Sequence, residues 1–332
     1  MFLFIKSRYI NYEVEFNRKV TIIQGDSGTG KTKIIEIFRR FVESKAASVS
    51  TSNGIKVEVF FPNIRWETII NSSENRLFII DEECKWITSK RFTELVHRSN
   101  NYFIIISRDP LKGLNYSYKE IYEMKNSGKF NKTVRKYDSY INTNLDKRCE
   151  VVLVEDSNSG LEFYKSHIQR DIVSTEGKAK FTKAIEDIRD RNYKNVGIIA
   201  DGAAFGNEIE KVVTAVGREK HLDFSWFLPE CTESVLVESG ILNFKKLLKF
   251  IKSADKNKFS SYETMYFKLL KEETESTPAL YTKTYINTCY TKNCCHKSCP
   301  VCKFRTNVDK KRIINEIIFG NNGEDSNDKL LF

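Results

Sequence analysis

The sequence predicts an α/β chain built on parallel sheets, with two α/β units followed by a helical, cysteine-rich C-terminal region. Three observations predict it. Short, continuous apolar runs recur at Val20–Gln24, 56–61, 77–80, 102–106, 151–154 and 196–200. Stretches with helical periodicity separate them, which is the pattern of strands buried on both faces. The length of 332 residues suits about two domains, and a hydrophobic share of 40% supplies a core for each.

The N-terminal unit, taken as 1–148, begins with short strands at 2–5 and 12–16 and a continuous buried one at 20–24. A helix opens at Lys31, where Ile34, Ile37, Phe38, Phe41 and Val42 fall on one face. Residues 112–148 are polar and basic, with tyrosines and Phe130 interleaved, and the domain boundary is expected in or just after them. The second unit, 149–240, alternates strands and helices again. Residues 241–332 read as helical and basic, with a polar tail.

The junction of the third strand and the first helix is Gly25-Asp26-Ser27-Gly28-Thr29-Gly30-Lys31-Thr32, which fits G-x-x-x-x-G-K-[ST] at every defined position. Such a loop lets backbone N–H groups curl around phosphates, with the positive end of the following helix behind them. Lys31 would reach the β- and γ-phosphates of ATP, and the Thr32 hydroxyl would ligate Mg²⁺. The strand Leu77–Ile80 runs into Asp81 and Glu82. Asp81 would hold the magnesium shell, and Glu82 would activate the attacking water, with Glu83 as the alternative base. Ser107, at the end of strand 102–106, is a candidate sensor of the γ-phosphate. Arg91, Arg98 and Arg108 stay open as arginine fingers.

The adjacent acids resemble those of the additional-strand, catalytic-glutamate division of P-loop NTPases. That resemblance implies a compact AAA-like or RecA-like core that hydrolyses ATP. The 50 residues or so between the two motifs leave no room for the helical insert of ABC-type ATPases, and no LSGGQ-like segment occurs.

Further on, the strand at 151–154 ends in Glu155-Asp156 and precedes Phe163-Tyr164. Gly177-Lys178 opens a helix, and the strand at 196–200 ends in Asp201-Gly-Ala203, closing with Gly206. This resembles a Toprim domain of the kind found in OLD-family nucleases and in ATPase-plus-Toprim phage-defence pairs. The resemblance implies that Glu155 and Asp201 bind metal. Ala203 stands where the pattern has its second aspartate, which points to a degenerate site unless Asp156 or Glu208 compensates.

Eight cysteines in a chain without a recognisable signal segment argue for metal or free thiols rather than disulfides. Five fall within 14 residues, and Cys299-x-x-Cys302 has knuckle spacing. Cys289 and Cys294 complete the favoured set for Zn²⁺, with Cys295 and His296 as substitutes. Cys84, Cys149 and Cys231 read as buried small residues.

The formal charge of +10 favours a polyanionic partner, with basic runs at 125–136, 245–258 and 303–312. The expectation is therefore a cytoplasmic, ATP-dependent protein that acts on or senses nucleic acid, with phage defence or mobile-element biology implied by the resemblance. The alternatives are a nucleotide-gated switch that recruits a partner protein or a second copy of itself, and an assembly-type motor. No apolar run is long enough for a membrane span.

Overall fold

The structure, a computed structural model, describes residues 1–25, 31–44, 47–141, 144–253, 261–292, 299–302 and 309–320. Of Lys31 and Thr32 it describes the backbone alone. The chain divides into two compact units. The first comprises Met1–Tyr140, Gly202–Lys211 and Ala254–Met265; the second comprises Ile141–Asp201, Val212–Ser253 and Tyr266–Phe332. The architecture is mixed α/β, with a large sheet in the first unit and a parallel sheet in the second.

In chain order the first unit starts with β1 (Phe2–Lys6), β2 (Asn11–Glu15) and β3 (Val20–Gln24), then α1 (Lys31–Ser44). There follow β4 (Ser48–Thr51), β5 (Lys56–Phe60), α2 (Trp66–Asn71), β6 (Arg76–Ile80), α3 (Lys90–Arg98), β7 (Tyr102–Ile106), β8 (Ile121–Ser127) and β9 (Phe130–Arg135). The nine strands form one sheet in the order β4-β1-β2-β9-β8-β3-β7-β6-β5. From β8 to β5 every pairing is parallel. The β8–β9 and β1–β2 pairs are antiparallel hairpins that extend the sheet as a wing.

The two halves of this sheet differ in pattern because they differ in cover. Val20 to Gln24, Leu77 to Ile80 and Phe103 to Ile106 are buried at every position. In the wing, Leu3, Ile5, Tyr12 and Val14 alternate with exposed neighbours and join Ile34, Ile37 and Phe38 of α1 in one apolar cluster. A second aromatic cluster forms around α3, where Phe92 meets Trp66, Trp86 and Phe103 edge-on.

The basic stretch expected as a boundary region contains the β8–β9 hairpin. Tyr122 and Met124 point into the core while Lys125 faces solvent, so each strand carries two charged residues among its apolar ones and the segment reads as polar.

The second unit contains β10 (Val151–Val154), α4 (Ser159–His167), β11 (Asp171–Ser174), α5 (Phe181–Arg189) and β12 (Asn195–Ile199). Next come α6 (Ile209–Arg218), β13 (Asp223–Phe227), α7 (Thr232–Glu238), α8 (Lys245–Ser253), α9 (Tyr262–Thr274), α10 (Thr288–Thr291) and α11 (Lys310–Phe319), of which α6 up to Lys211 and α9 up to Met265 are counted with the first unit. Its sheet is fully parallel in the order β11-β10-β12-β13. The helix expected from about Ala204 begins later, at Ile209, after a single 3-10 turn at Phe205–Asn207. Gly206 lies in that turn and donates its N–H to the Tyr116 carbonyl at 2.9 Å. A Cβ there would stand 2.4 Å from the Tyr116 ring, so no other residue fits without displacement.

Among the described residues no helix is long and apolar enough to cross a membrane.

Candidate functional site

In the first unit the chemistry-bearing residues collect at the C-terminal edge of the parallel strands, where the loops of such sheets converge. Register sets the row. Ile23 of β3 lies opposite Ile106 of β7, and Ile105 of β7 lies opposite Ile80 of β6. The residues that follow, Gly25, Ser107 and Asp81, therefore emerge from three neighbouring strands. Strands about 4.8 Å apart put Asp81 roughly 10 Å from the end of β3.

Gly25 has a φ of +154°, in a region that L side chains rarely adopt. The chain thus leaves β3 by a path that requires glycine at the first loop position. Asp26, Ser27, Gly28, Thr29 and Gly30 lie outside the described residues. Lys31 and Thr32 form the first residues of α1. Gln24, buried at the end of β3, accepts a hydrogen bond from Lys136 Nζ at 3.1 Å.

Ser107 is buried and held from both sides. Its N–H donates to the Ile23 carbonyl at 3.1 Å, fastening the end of β7 to the start of the glycine loop. Its hydroxyl donates to the Asp109 carbonyl at 2.7 Å. Asp81 is 7% exposed. Burial pushes its carboxyl up from the ordinary aspartate range, and the Glu83 carboxylate adds to that. Such a group is stabilised in its ionised form by a cation, and a carboxylate oxygen is the ligand type Mg²⁺ takes. Asp81 is therefore of the donor type that this ion takes.

The two candidate bases have different neighbours. Glu82 Oε1 lies 3.0 Å from Arg108 Nε, and Glu83 Oε2 lies 3.1 Å from Arg39 of α1. The Arg39 guanidinium also lies over the Phe61 ring, 5.7 Å from its centroid. Arg91 is engaged by Glu67 at 3.1 Å. The reading of the sequence missed the roles of Arg39 and Arg108 as partners of these acids. Both contacts join residues far apart in sequence, and no spacing announces them.

In the second unit β10 and β12 are adjacent and parallel, and this brings Glu155 and Asp201 together. The Asp201 N–H donates to Glu155 Oε2 at 3.0 Å, while the Glu155 N–H donates to Ile199 O at 2.9 Å. Asp156 turns elsewhere. Its Oδ2 accepts the Thr232 hydroxyl at 2.7 Å, and a Cβ on Gly160 would sit 2.2 Å from that oxygen. Thr232 also reaches the hydroxyl of Tyr164, a wholly buried side chain whose ionisation burial suppresses. Glu208, counted with the first unit, pairs with Lys211 at 2.6 Å. The two acids considered as replacements at the Ala203 position are thus both engaged by other groups.

The cysteines separate into two sets. Cys84, Cys149 and Cys231 are buried and far apart in sequence, and burial pushes the Cys84 thiol up to about 11. Cys289, Cys299 and Cys302 are also buried and free of disulfides. Burial raises the Cys302 thiol, and hydrogen-bonding contacts with the Cys299 and Cys289 thiols raise it further. The Cys302 N–H closes a turn onto the Cys299 carbonyl at 3.2 Å. The buried Lys310 amine donates to the Cys289 carbonyl at 2.5 Å. Cys294, Cys295 and His296 lie outside the described residues. Among those described, no group of three or more His, Cys, Asp or Glu side chains is arranged to hold a metal ion.

Compared with known proteins, the chain matches no family model, no curated protein and no solved structure.

Proposed function

We propose that the chain is an ATP-binding and hydrolysing P-loop protein, coupled to a Toprim-like unit, that acts on or senses nucleic acid. One observation carries the reading. The strand β7 stands between β3, which leads into the G-x-x-x-x-G-K-T loop, and β6, which ends in Asp81-Glu82. In this reading β7 is the additional strand for which the catalytic-glutamate division is named. It puts a polar residue, Ser107, between the phosphate loop and the acids.

In this reading the loop backbone and Lys31 would bind the triphosphate, and Thr32 and Asp81 would hold Mg²⁺, which would supply charge neutralisation at the phosphates. Glu82 accepts a proton from the attacking water. The burial that raises Asp81 makes the edge a poor place for an uncompensated carboxylate and a good one for a cation-bound phosphate. A structural Zn²⁺, with Cys289, Cys294, Cys299 and Cys302 as the sequence's candidate ligands, would belong to the same reading only if these thiols rearrange, since the described ones are not arranged around an ion.

Two substitutions test it. Lys31→Ala should abolish binding of Mg-ATP, whereas Glu82→Gln should retain binding and lose turnover by at least about 100-fold. Wild-type hydrolysis by Glu82→Gln would remove Glu82 from the role of base.

A second reading, a nucleotide-gated scaffold with an inactive Toprim-like unit, is favoured by one specific finding. Ala203 supplies no carboxylate, and Asp156 and Glu208 are committed to Thr232 and Lys211. Absence of Mg²⁺- or Mn²⁺-dependent cleavage would select it. Robust cleavage abolished by Asp201→Ala would exclude it.

A further inference from the structure

The wing of the large sheet has one face packed on α1 and the opposite face open. On the open face, register arranges six side chains as two rows of three. Phe4 of β1 lies opposite Glu13 of β2, which lies beside Lys132 of β9; Lys6 lies opposite Asn11, which lies beside Phe130. Aromatic rings occupy two diagonal corners of this array and lysines the other two, with a carboxylate and an amide between them. These six residues line a shallow pocket of about 450 Å³. The outer strands are two sheet spacings apart, about 10 Å.

Two features of this face are costly if nothing binds there. Phe130 is 62% exposed, on a strand in the middle of the sheet order where no edge pairing would cover it. Lys125 of β8 lies directly opposite Lys132, both exposed, and like charges facing each other across a ladder destabilise it. An anion that also carries flat apolar groups relieves both. The neighbouring acid Glu15 is already engaged by Asn17 at 2.6 Å and by Arg135 at 3.8 Å, while Glu13 remains in the array.

We propose that this face binds single-stranded nucleic acid. Phe4 and Phe130 stack on bases, Lys6, Lys125 and Lys132 meet phosphates, and Asn11 and Glu13 contact base edges. Stacking on rings from an open sheet face is a sequence-tolerant mode, because every base has a π-face. Glu13, which when ionised only accepts hydrogen bonds, favours bases that present N–H groups along their edge. A protein surface of ordinary polarity fits less well, since covering the array would desolvate Lys6, Glu13 and Lys132 together. The inference rests on the nucleic-acid part of the proposed function and is independent of ATP hydrolysis.

The test is fluorescence anisotropy with a labelled 20-nucleotide single strand of mixed sequence, as DNA and as RNA, and the full chain at 50 and 200 mM salt. The wild type should bind, and more weakly at the higher salt. Phe130→Ala, at an exposed position and with an unchanged circular dichroism spectrum, should weaken binding roughly tenfold. Lys132→Gln should weaken it and lower the salt dependence by about 0.7 in the log–log slope. No binding by the wild type would overturn both this inference and the nucleic-acid part of the proposed function. Wild-type binding unchanged in Phe130→Ala and Lys132→Gln would overturn the surface alone. Self-association of the wild type that Phe130→Ala removes, without strand binding, would make the face a contact between two copies of the chain.

Discussion

Arg108 Nε lies 3.0 Å from Oε1 of Glu82, joining the loop after β7 to the loop after β6. The pair occupies the carboxylate that the proposed mechanism needs as a proton acceptor. In the proposed mechanism that carboxylate would have to be released before it could accept the proton.

Arg108→Ala should raise basal ATP turnover. Both side chains are substantially exposed, and exposed pairs contribute at most about 1 kcal/mol, so the gain should not exceed about fivefold. The check is steady-state phosphate release with saturating Mg-ATP. A fall of 100-fold would show that Arg108 acts on the phosphates themselves.

Asp81→Asn should make the protein more stable while removing Mg-dependent hydrolysis. The folded-state carboxyl is raised by burial and by Glu83, so the native state holds its proton more tightly than the unfolded chain does. The resulting stabilisation is full below the unfolded value near 4 and is lost as pH rises through the folded one. At neutral pH an ionised Asp81 is a cost, and Asn removes it. Thermal unfolding without magnesium should show a gain of about 1 kcal/mol, a few degrees. A lower melting temperature would contradict the assignment.

Acid should weaken the second unit through His167. Burial, with Lys311 and Lys310 nearby, depresses this imidazole below its usual 6.5, although the Phe163 carbonyl opposes the shift. Its Nε2 is buried without a hydrogen-bond partner. A depressed base favours the folded state above pH 6.5, and that contribution is lost as pH falls from 6.5 through the folded value. His97 in the first unit is depressed too, by burial and by Lys19. Melting temperatures from pH 7.5 to 5.5 should decline, and His167→Gln should flatten the decline. An unchanged slope in that variant would remove His167 as a source.

Protein purified without chelator should carry about one zinc per chain, and Cys302→Ser should lose it together with stability of the α10 region. Elemental analysis with thiol titration distinguishes the alternatives. Metal-free protein with all three thiols reactive on unfolding would leave a reduced thiol cluster in place of a metal site.

The apolar strands that are covered on both faces were legible in the sequence, because burial of every position leaves an unbroken run such as Leu77-Phe78-Ile79-Ile80. The strand order that sets Ser107 between Gly25 and Asp81 was not, since pairing is a long-range choice that one sequence does not spell out. β8, β9 and β4 escaped notice for a local reason. One face of each is solvated, and residues such as Lys125, Lys132 and Ser50 mask the alternation. β11 is four residues long, too short for a period to register. Within the site, residue types at strand ends were readable, whereas their partners, Arg108 for Glu82 and Thr232 for Asp156, arise only from the fold.

The chain passes between the two units five times, and Gly202–Lys211 belongs to the first although it directly follows the last residue of a segment of the second. Gly206 in that segment meets Tyr116, within the same unit, so closely that only the hydrogens of its Cα fit between them. A fragment cut at residue 148 would thus lack a piece of its own fold, and the two halves are not interchangeable cassettes. Insertion or deletion at the apparent boundary therefore falls within segments of both units.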